Sequence, residues 1–177
     1  MIEFLIWLPV YLIYCIVGGF LFWLRGSAVF EQITGRGKTT ADLVWATGMA
    51  MLASPLYWNS STPLGAFALL TLAFFLGGRL PWWRSLSMGR NPADGYFWNA
   101  FARHTARGLF WVAPAAFAIG ILGGNPLSLL VAGLFAGVLW EAGWRVKENG
   151  GLFNFEATEI GELYFGLMIG GAIFWAL

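Results

Sequence analysis

The sequence predicts an all-α, polytopic integral membrane protein, a compact bundle of about six transmembrane helices with a basic, aromatic-rich interfacial segment on its cytoplasmic side. Its 177 residues are 59% hydrophobic and only 11% charged, whereas a soluble domain carries about 25% charged residues. A soluble protein of this size could not bury so much apolar surface. The charges are also segregated, with basic residues in the middle of the chain and acidic residues toward its C-terminal end.

The predicted interfacial segment covers residues 79–107. It holds five of the ten Lys and Arg residues, the single histidine and one acid. Arginine suits anionic lipid headgroups and the positive-inside bias, and tryptophan and tyrosine suit the half-wet interfacial layer. The arginines predicted to contact headgroups or other anions are Arg79, Arg84, Arg90, Arg103 and Arg107.

The first predicted span is residues 4–24, a run of 21 residues without a charge. At ~1.5 Å per residue this is long enough to cross a hydrocarbon core of ~30 Å. Glu3 precedes the run and Arg25 follows it, so the charge bias favours an N-terminus outside the cytoplasm. Because the run lacks a preceding basic region, we expect a membrane helix and not a cleaved signal peptide.

The other predicted spans are residues 40–58, 64–80, 106–122, 127–144 and 157–177. The uncharged turns at 59–63 and 123–126 should lie outside and the basic loops inside, so that both termini lie outside the cytoplasm. This topology fits a bacterial inner membrane. The alternative is four full spans, with two of the shorter apolar runs re-entrant or interfacial.

The sequence GRGKTT at residues 35–40 invites comparison with a phosphate-binding loop. A Walker A motif requires a glycine five residues before the Gly-Lys pair, and Gln32 occupies that position. We predict instead that Thr39 or Thr40 caps the second helix, with Asp42 completing a capping box.

Small residues recur at the spacing that allows helices to approach closely. Two GxxxG pairs are predicted to pack helices, Gly133 with Gly137 and Gly166 with Gly170. Gly18-Gly19 in the first span would either let another helix approach closely or loosen its own helix.

Two predicted hairpins share a pattern of matching residues. Trp45 precedes Pro63-Leu64 in the first, and Trp111 precedes Pro126-Leu127 in the second. This similarity indicates either a parallel internal repeat or a chance likeness between apolar sequences. Both tryptophans could lie deeper than the interface.

Three glutamates near the inner ends of the last two spans, Glu141, Glu159 and Glu162, are candidates for an ion or proton pathway. A carboxylate close to hydrocarbon is costly and therefore indicates function. The alternative is structural ion pairing, such as Glu141 with Arg145 four residues later. No metal site or cofactor is predicted, because the chain has one histidine and a single cysteine, Cys15, too few for a Glu-x-x-His diiron centre or a disulfide.

His104 lies between Arg103 and Arg107. A histidine beside arginines that hold a phosphate could act as a general base on a lipid headgroup. The alternative is an interfacial histidine among cations with no catalytic role.

The leading functional hypothesis is a non-catalytic membrane protein with an assembly or accessory-subunit role. Its expected partners are anionic lipids and either further copies of itself or other membrane proteins, with no role for nucleic acid. The first alternative is a small transporter or channel that uses the three glutamates. The second is a lipid-headgroup enzyme at the cytoplasmic interface that uses His104 and neighbouring arginines.

Overall fold

The computed structural model describes the backbone of residues 2–26, 37–79, 97–148 and 157–177. Its side-chain description covers residues 5–25, 37, 39–79, 108–138 and 163–177. The described residues are all-helical, which confirms the predicted all-α class. Their six α-helices are α1 (Ile2–Gly26), α2 (Lys38–Leu52), α3 (Pro63–Arg79), α4 (Phe97–Ile121), α5 (Pro126–Glu148) and α6 (Ala157–Ala176).

Prolines and a glycine set the boundaries of the central helices. Pro63 and Pro126 each occupy the first helical position, where the missing N–H is not needed. Gly123 adopts a φ of +88° just after α4, a left-handed conformation that glycine reaches without steric cost. Asn125 then caps α5, because its side-chain oxygen accepts the backbone N–H of Leu127 at 3.0 Å.

The six helices form a closed ring in chain order, in which each helix packs against its neighbours in the chain and α6 packs back against α1. Neighbours run antiparallel, so the bundle has two ends. We call the end where α1 and α3 finish and α2 begins the basic end, after Arg25 and Arg79. The other, the turn end, carries the connections at residues 53–62 and 122–125. There the N–H of Asn125 donates to the carbonyl of Ala176 at 2.9 Å.

The interior of the bundle combines many alanines with large apolar side chains, and further large apolar side chains are exposed on its surface. Many of the buried residues are alanines, including Ala46, Ala50 and Ala115. Large apolar side chains are exposed on all six helices, and on α1 they include Leu5, Ile6, Leu12, Ile13, Ile16 and Phe20. A monomeric soluble protein seldom exposes so many large apolar side chains together.

One described stretch, Leu5–Arg25 near the N-terminus, is long and apolar enough by itself to cross a membrane. A signal sequence or the core helix of a soluble protein can have the same length and composition. The apolar parts of α3, α4, α5 and α6 are shorter, at 10–17 residues within the described side chains.

Glycines bring two pairs of helices into backbone contact. In the α1–α6 pair, a Cβ on Gly18 would lie 2.8 Å from Cα of Gly170 and collide with the carbonyl oxygen of Gly166. We call these three residues the glycine seam. In the α4–α5 pair, a Cβ on Gly108 would collide with the carbonyl of Gly133 and lie 2.8 Å from the backbone nitrogen of Gly137. The predicted GxxxG pairs therefore lie at contacts within the chain.

Candidate functional site

A buried carboxylate lies between two arginines at the basic end. Asp42, one turn into α2, is 1% exposed. Its Oδ1 lies 2.7 Å from Nε of Arg25 at the end of α1, and its Oδ2 lies 2.6 Å from Nε of Arg79, the last residue of α3. Both contacts are ion pairs by distance, without the alignment of a hydrogen bond. We call these three residues the ion cluster, and it joins three helices.

The two arginines of the ion cluster differ in exposure. The side chain of Arg25 is 5% exposed and that of Arg79 is 25% exposed. Arg79 also donates from Nη2 to the hydroxyl oxygen of Thr39 at 2.5 Å, and Thr39 is exposed in the first turn of α2. Arg25 is thus the inner member of the cluster and Arg79 the outer one.

Aromatic rings from five helices meet beside the ion cluster. Phe22 lies at the centre, with its ring centroid 4.8 Å from Trp45, 5.9 Å from Trp111 and 4.6 Å from Phe165. Trp45 also packs edge-on against Phe74 at 5.8 Å. We call these five residues the aromatic cluster. Several of its pairs are T-shaped or tilted, the arrangements that the ring quadrupole favours.

The guanidinium of Arg25 lies over this aromatic cluster. Its Cζ is 4.5 Å from the ring centroid of Trp111, 5.6 Å from Trp45 and 5.9 Å from Phe22. A desolvated cation over an aromatic face gains about 2 kcal/mol. The rings therefore offset part of the cost of removing Arg25 from water.

Pairing is what makes the burial of Asp42 tolerable. Taking an ion out of water costs several kcal/mol, and an opposite charge at close range is needed to offset it. Since each carboxylate oxygen faces a different arginine, loss of either partner would leave Asp42 only half compensated. The arrangement can fix the relative positions of α1, α2 and α3, and it can orient Arg79 toward an anion at the basic end.

The predicted capping box at the start of α2 is wrong. The helix begins at Lys38 with Gly37 as its N-cap residue and no side-chain cap. Thr39 instead accepts a hydrogen bond from Arg79, and the Asp42 carboxylate faces the two arginines. The physical reason is that two charged guanidinium groups attract a carboxylate more strongly than neutral backbone N–H groups do.

Of the predicted anion-contacting arginines, Arg79 lies in the ion cluster. Arg84 and Arg90 lie outside the described residues. The other candidate residues belong to described helices, but their side chains lie outside the described set: Arg103, His104 and Arg107 in α4, Glu141 in α5, and Glu159 and Glu162 in α6. Their predicted roles stay predictions.

Asp42 and Arg25 are the site residues that sequence reasoning missed. The available signal was the rule that an ionisable residue beside an apolar segment indicates a functional or paired site. The sequence pattern alone assigns Arg25 to the end of the first span and Asp42 to a helix cap. Within the described side chains, no group of three or more His, Cys, Asp or Glu residues could hold a metal ion.

Comparison with protein-family models, curated proteins and solved structures finds no match to this chain.

Proposed function

We propose that this chain is an integral membrane protein whose six helices cross one bilayer and which has a structural, non-catalytic role in assembly. The observation that carries the proposal is the large number of bulky apolar side chains exposed on every helix, around an interior that is rich in alanine and holds two buried charged residues. Lipid chains solvate an apolar surface without cost, and small residues let helices pack closely in a membrane.

Tryptophans at the turn end support this placement. Trp7, Trp58 and Trp175 are all exposed there, as expected of side chains in the interfacial layer. Trp7 and Arg25 are eighteen positions apart on α1, which corresponds to about 27 Å at the helical rise. That separation is close to the ~30 Å thickness of a hydrocarbon core. In the proposed orientation the basic end faces the cytoplasm and both termini lie outside, as in a bacterial inner membrane.

The packing near the basic end favours a structural role over transport. The aromatic cluster brings rings from α1, α2, α3, α4 and α6 together where a central passage would run. The buried Asp42 is also compensated by two arginines, whereas a transport site needs a carboxylate that can change partners. The assembly role therefore leads, with a glutamate-dependent transporter and a headgroup enzyme that uses His104 as the alternatives.

The glycine contacts indicate which surface would meet a partner. The GxxxG pairs of α5 and α6 lie against α4 and α1 of the same chain. Association with a further copy or with another membrane protein would therefore use the outer apolar surface, where Phe117 of α4 and Phe135 of α5 are both exposed.

The native mass of the protein extracted with its own lipids tests this proposal. A fixed homo-oligomer, or a stoichiometric complex with another membrane protein, is the expected result. Phe117→Ala and Phe135→Ala should weaken the complex. Retained helical content of the monomer is the control that these variants still fold. A monomer under every extraction condition would contradict the assembly role.

A further inference from the structure

We propose that Arg79 and Thr39 form a binding site for the phosphate group of an anionic lipid, held in place by the buried Asp42. This inference rests on the membrane placement proposed above but not on the assembly role.

The first support is the set of hydrogen-bond donors that Arg79 keeps. A guanidinium group has five N–H donors. Nε faces Asp42 and one N–H of Nη2 donates to Thr39, so among the described residues both N–H groups of Nη1 and the second one of Nη2 have no partner. The side chain is 25% exposed, so part of Arg79 is open to a ligand. Two parallel N–H groups match two oxygens of a phosphate.

The second support is the fixed orientation of the guanidinium. An exposed arginine on a flexible side chain loses rotamer freedom when it binds an anion. Here the carboxylate of Asp42, itself 1% exposed, lies 2.6 Å from Nε, and Thr39 holds Nη2. Part of that ordering has therefore already occurred in the folded protein.

The third support is the chemistry of Thr39. Its hydroxyl oxygen accepts from Arg79, so its own O–H hydrogen can donate to another acceptor. Thr39 is exposed, and a phosphate oxygen bound by Arg79 would lie beside it. Thr39 also belongs to the first turn of α2, whose N-terminus has no side-chain cap and carries partial positive charge.

The position of this site in the proposed topology selects the ligand. Arg79 ends α3 at the basic end, which is the proposed cytoplasmic surface of the bilayer. Phosphate groups of anionic lipids lie at that depth, and their negative surface potential attracts arginine. A soluble phosphate offers the same chemistry, so the experiment must separate the two sources.

The test measures binding of phosphatidylglycerol to the purified protein in detergent by native mass spectrometry, with inorganic phosphate as the second probe. Thr39→Val removes the hydroxyl at nearly constant shape, and Thr39→Ser is the matched control that keeps it. Arg79→Lys keeps the positive charge but removes the planar fork. We expect about tenfold weaker phosphatidylglycerol binding for Thr39→Val and for Arg79→Lys, and wild-type binding for Thr39→Ser.

Three results would overturn the proposal. The first is wild-type lipid binding by folded Thr39→Val and Arg79→Lys protein. The second is equal loss of binding in Thr39→Ser and Thr39→Val. The third is residue-dependent binding of inorganic phosphate without phosphatidylglycerol, which would assign the site to a soluble anion. The same spectra report the oligomeric state, so a monomer with Thr39-dependent lipid binding would contradict the assembly role and support this site.

Discussion

The glycine seam and the ion cluster both join helices, but by opposite physical means. At the seam, Gly18 of α1 meets Gly166 and Gly170 of α6 with no side chain between the backbones. In the ion cluster, the long side chains of Arg25 and Arg79 converge on Asp42, with aromatic rings beside them. The seam is stabilised by dispersion contacts between backbones that the lack of side chains brings together, and the cluster is stabilised by the attraction of opposite charges.

This difference determines how each region should respond to substitution. Two backbones that touch because glycine has no side chain are forced apart by any added side-chain atom, whether polar or apolar. A contact made by buried charges fails when one charge is removed and the others remain. The two regions should therefore respond differently to matched substitutions.

Asp42→Asn should give a large loss of stability. It keeps the shape of the side chain but leaves two arginines facing a neutral amide, and breaking a buried charge pair costs about 3–5 kcal/mol. The measurement is the free energy of unfolding in detergent, with circular dichroism as the signal that monitors unfolding. The double variant Asp42→Asn/Arg79→Gln should lose less than the sum of the two single variants, with a coupling of about 0.5–3 kcal/mol. Strict additivity would show that Asp42 and Arg79 do not interact.

Gly18 of the glycine seam and its neighbour Gly19 provide a matched pair of substitutions, Gly18→Ala and Gly19→Ala. A Cβ on Gly18 would collide with backbone atoms of α6, whereas a Cβ on Gly19 would lie 3.0 Å from side-chain atoms of Leu167. Backbone cannot move without separating the helices, but a leucine side chain can. We expect Gly18→Ala to cost about 1–3 kcal/mol or more and Gly19→Ala to stay within about 1 kcal/mol. Equal melting temperatures for the two variants would contradict close contact at the seam.

Trp45→Phe should have a small effect. Trp45 is 1% exposed, but its indole N–H has no hydrogen-bond partner among the described residues. Phenylalanine would therefore lose only ring volume and part of the cation–π contact, at a cost of about 1 kcal/mol. Trp45→Ala, which empties the position, should cost about 3–5 kcal/mol. Similar unfolding free energies for both variants would show that the aromatic cluster does not depend on this ring.

The sequence predicted the helical class because composition and apolar run lengths are local properties. The predicted spans that begin at residues 64 and 127 start within one residue of the helices at Pro63 and Pro126, since proline acts on its own backbone. The GxxxG pairs were visible as spacing, but their partners Gly108 and Gly18 lie on other helices and depend on tertiary packing.

The ion cluster could not be predicted from spacing. Arg25, Asp42 and Arg79 belong to three different helices and are separated by 17 and 37 positions. Local rules assign Asp42 to a cap because they consider only its nearest neighbours. The predicted repeat indicated part of this region, since it matched Trp45 with Trp111. The ring centroids of these two residues lie 6.4 Å apart beside Arg25.

In the proposed topology the bundle crosses a bilayer with its two ends on opposite sides. Single cysteines introduced at exposed positions test this topology, in a Cys15→Ala background. Ser60→Cys and Asn125→Cys report on the turn end and Gly37→Cys on the basic end. A membrane-impermeant maleimide should label Ser60→Cys and Asn125→Cys in intact spheroplasts, and Gly37→Cys only after permeabilisation. Labelling of all three from the same side, or recovery of the protein in the soluble fraction, would contradict the account.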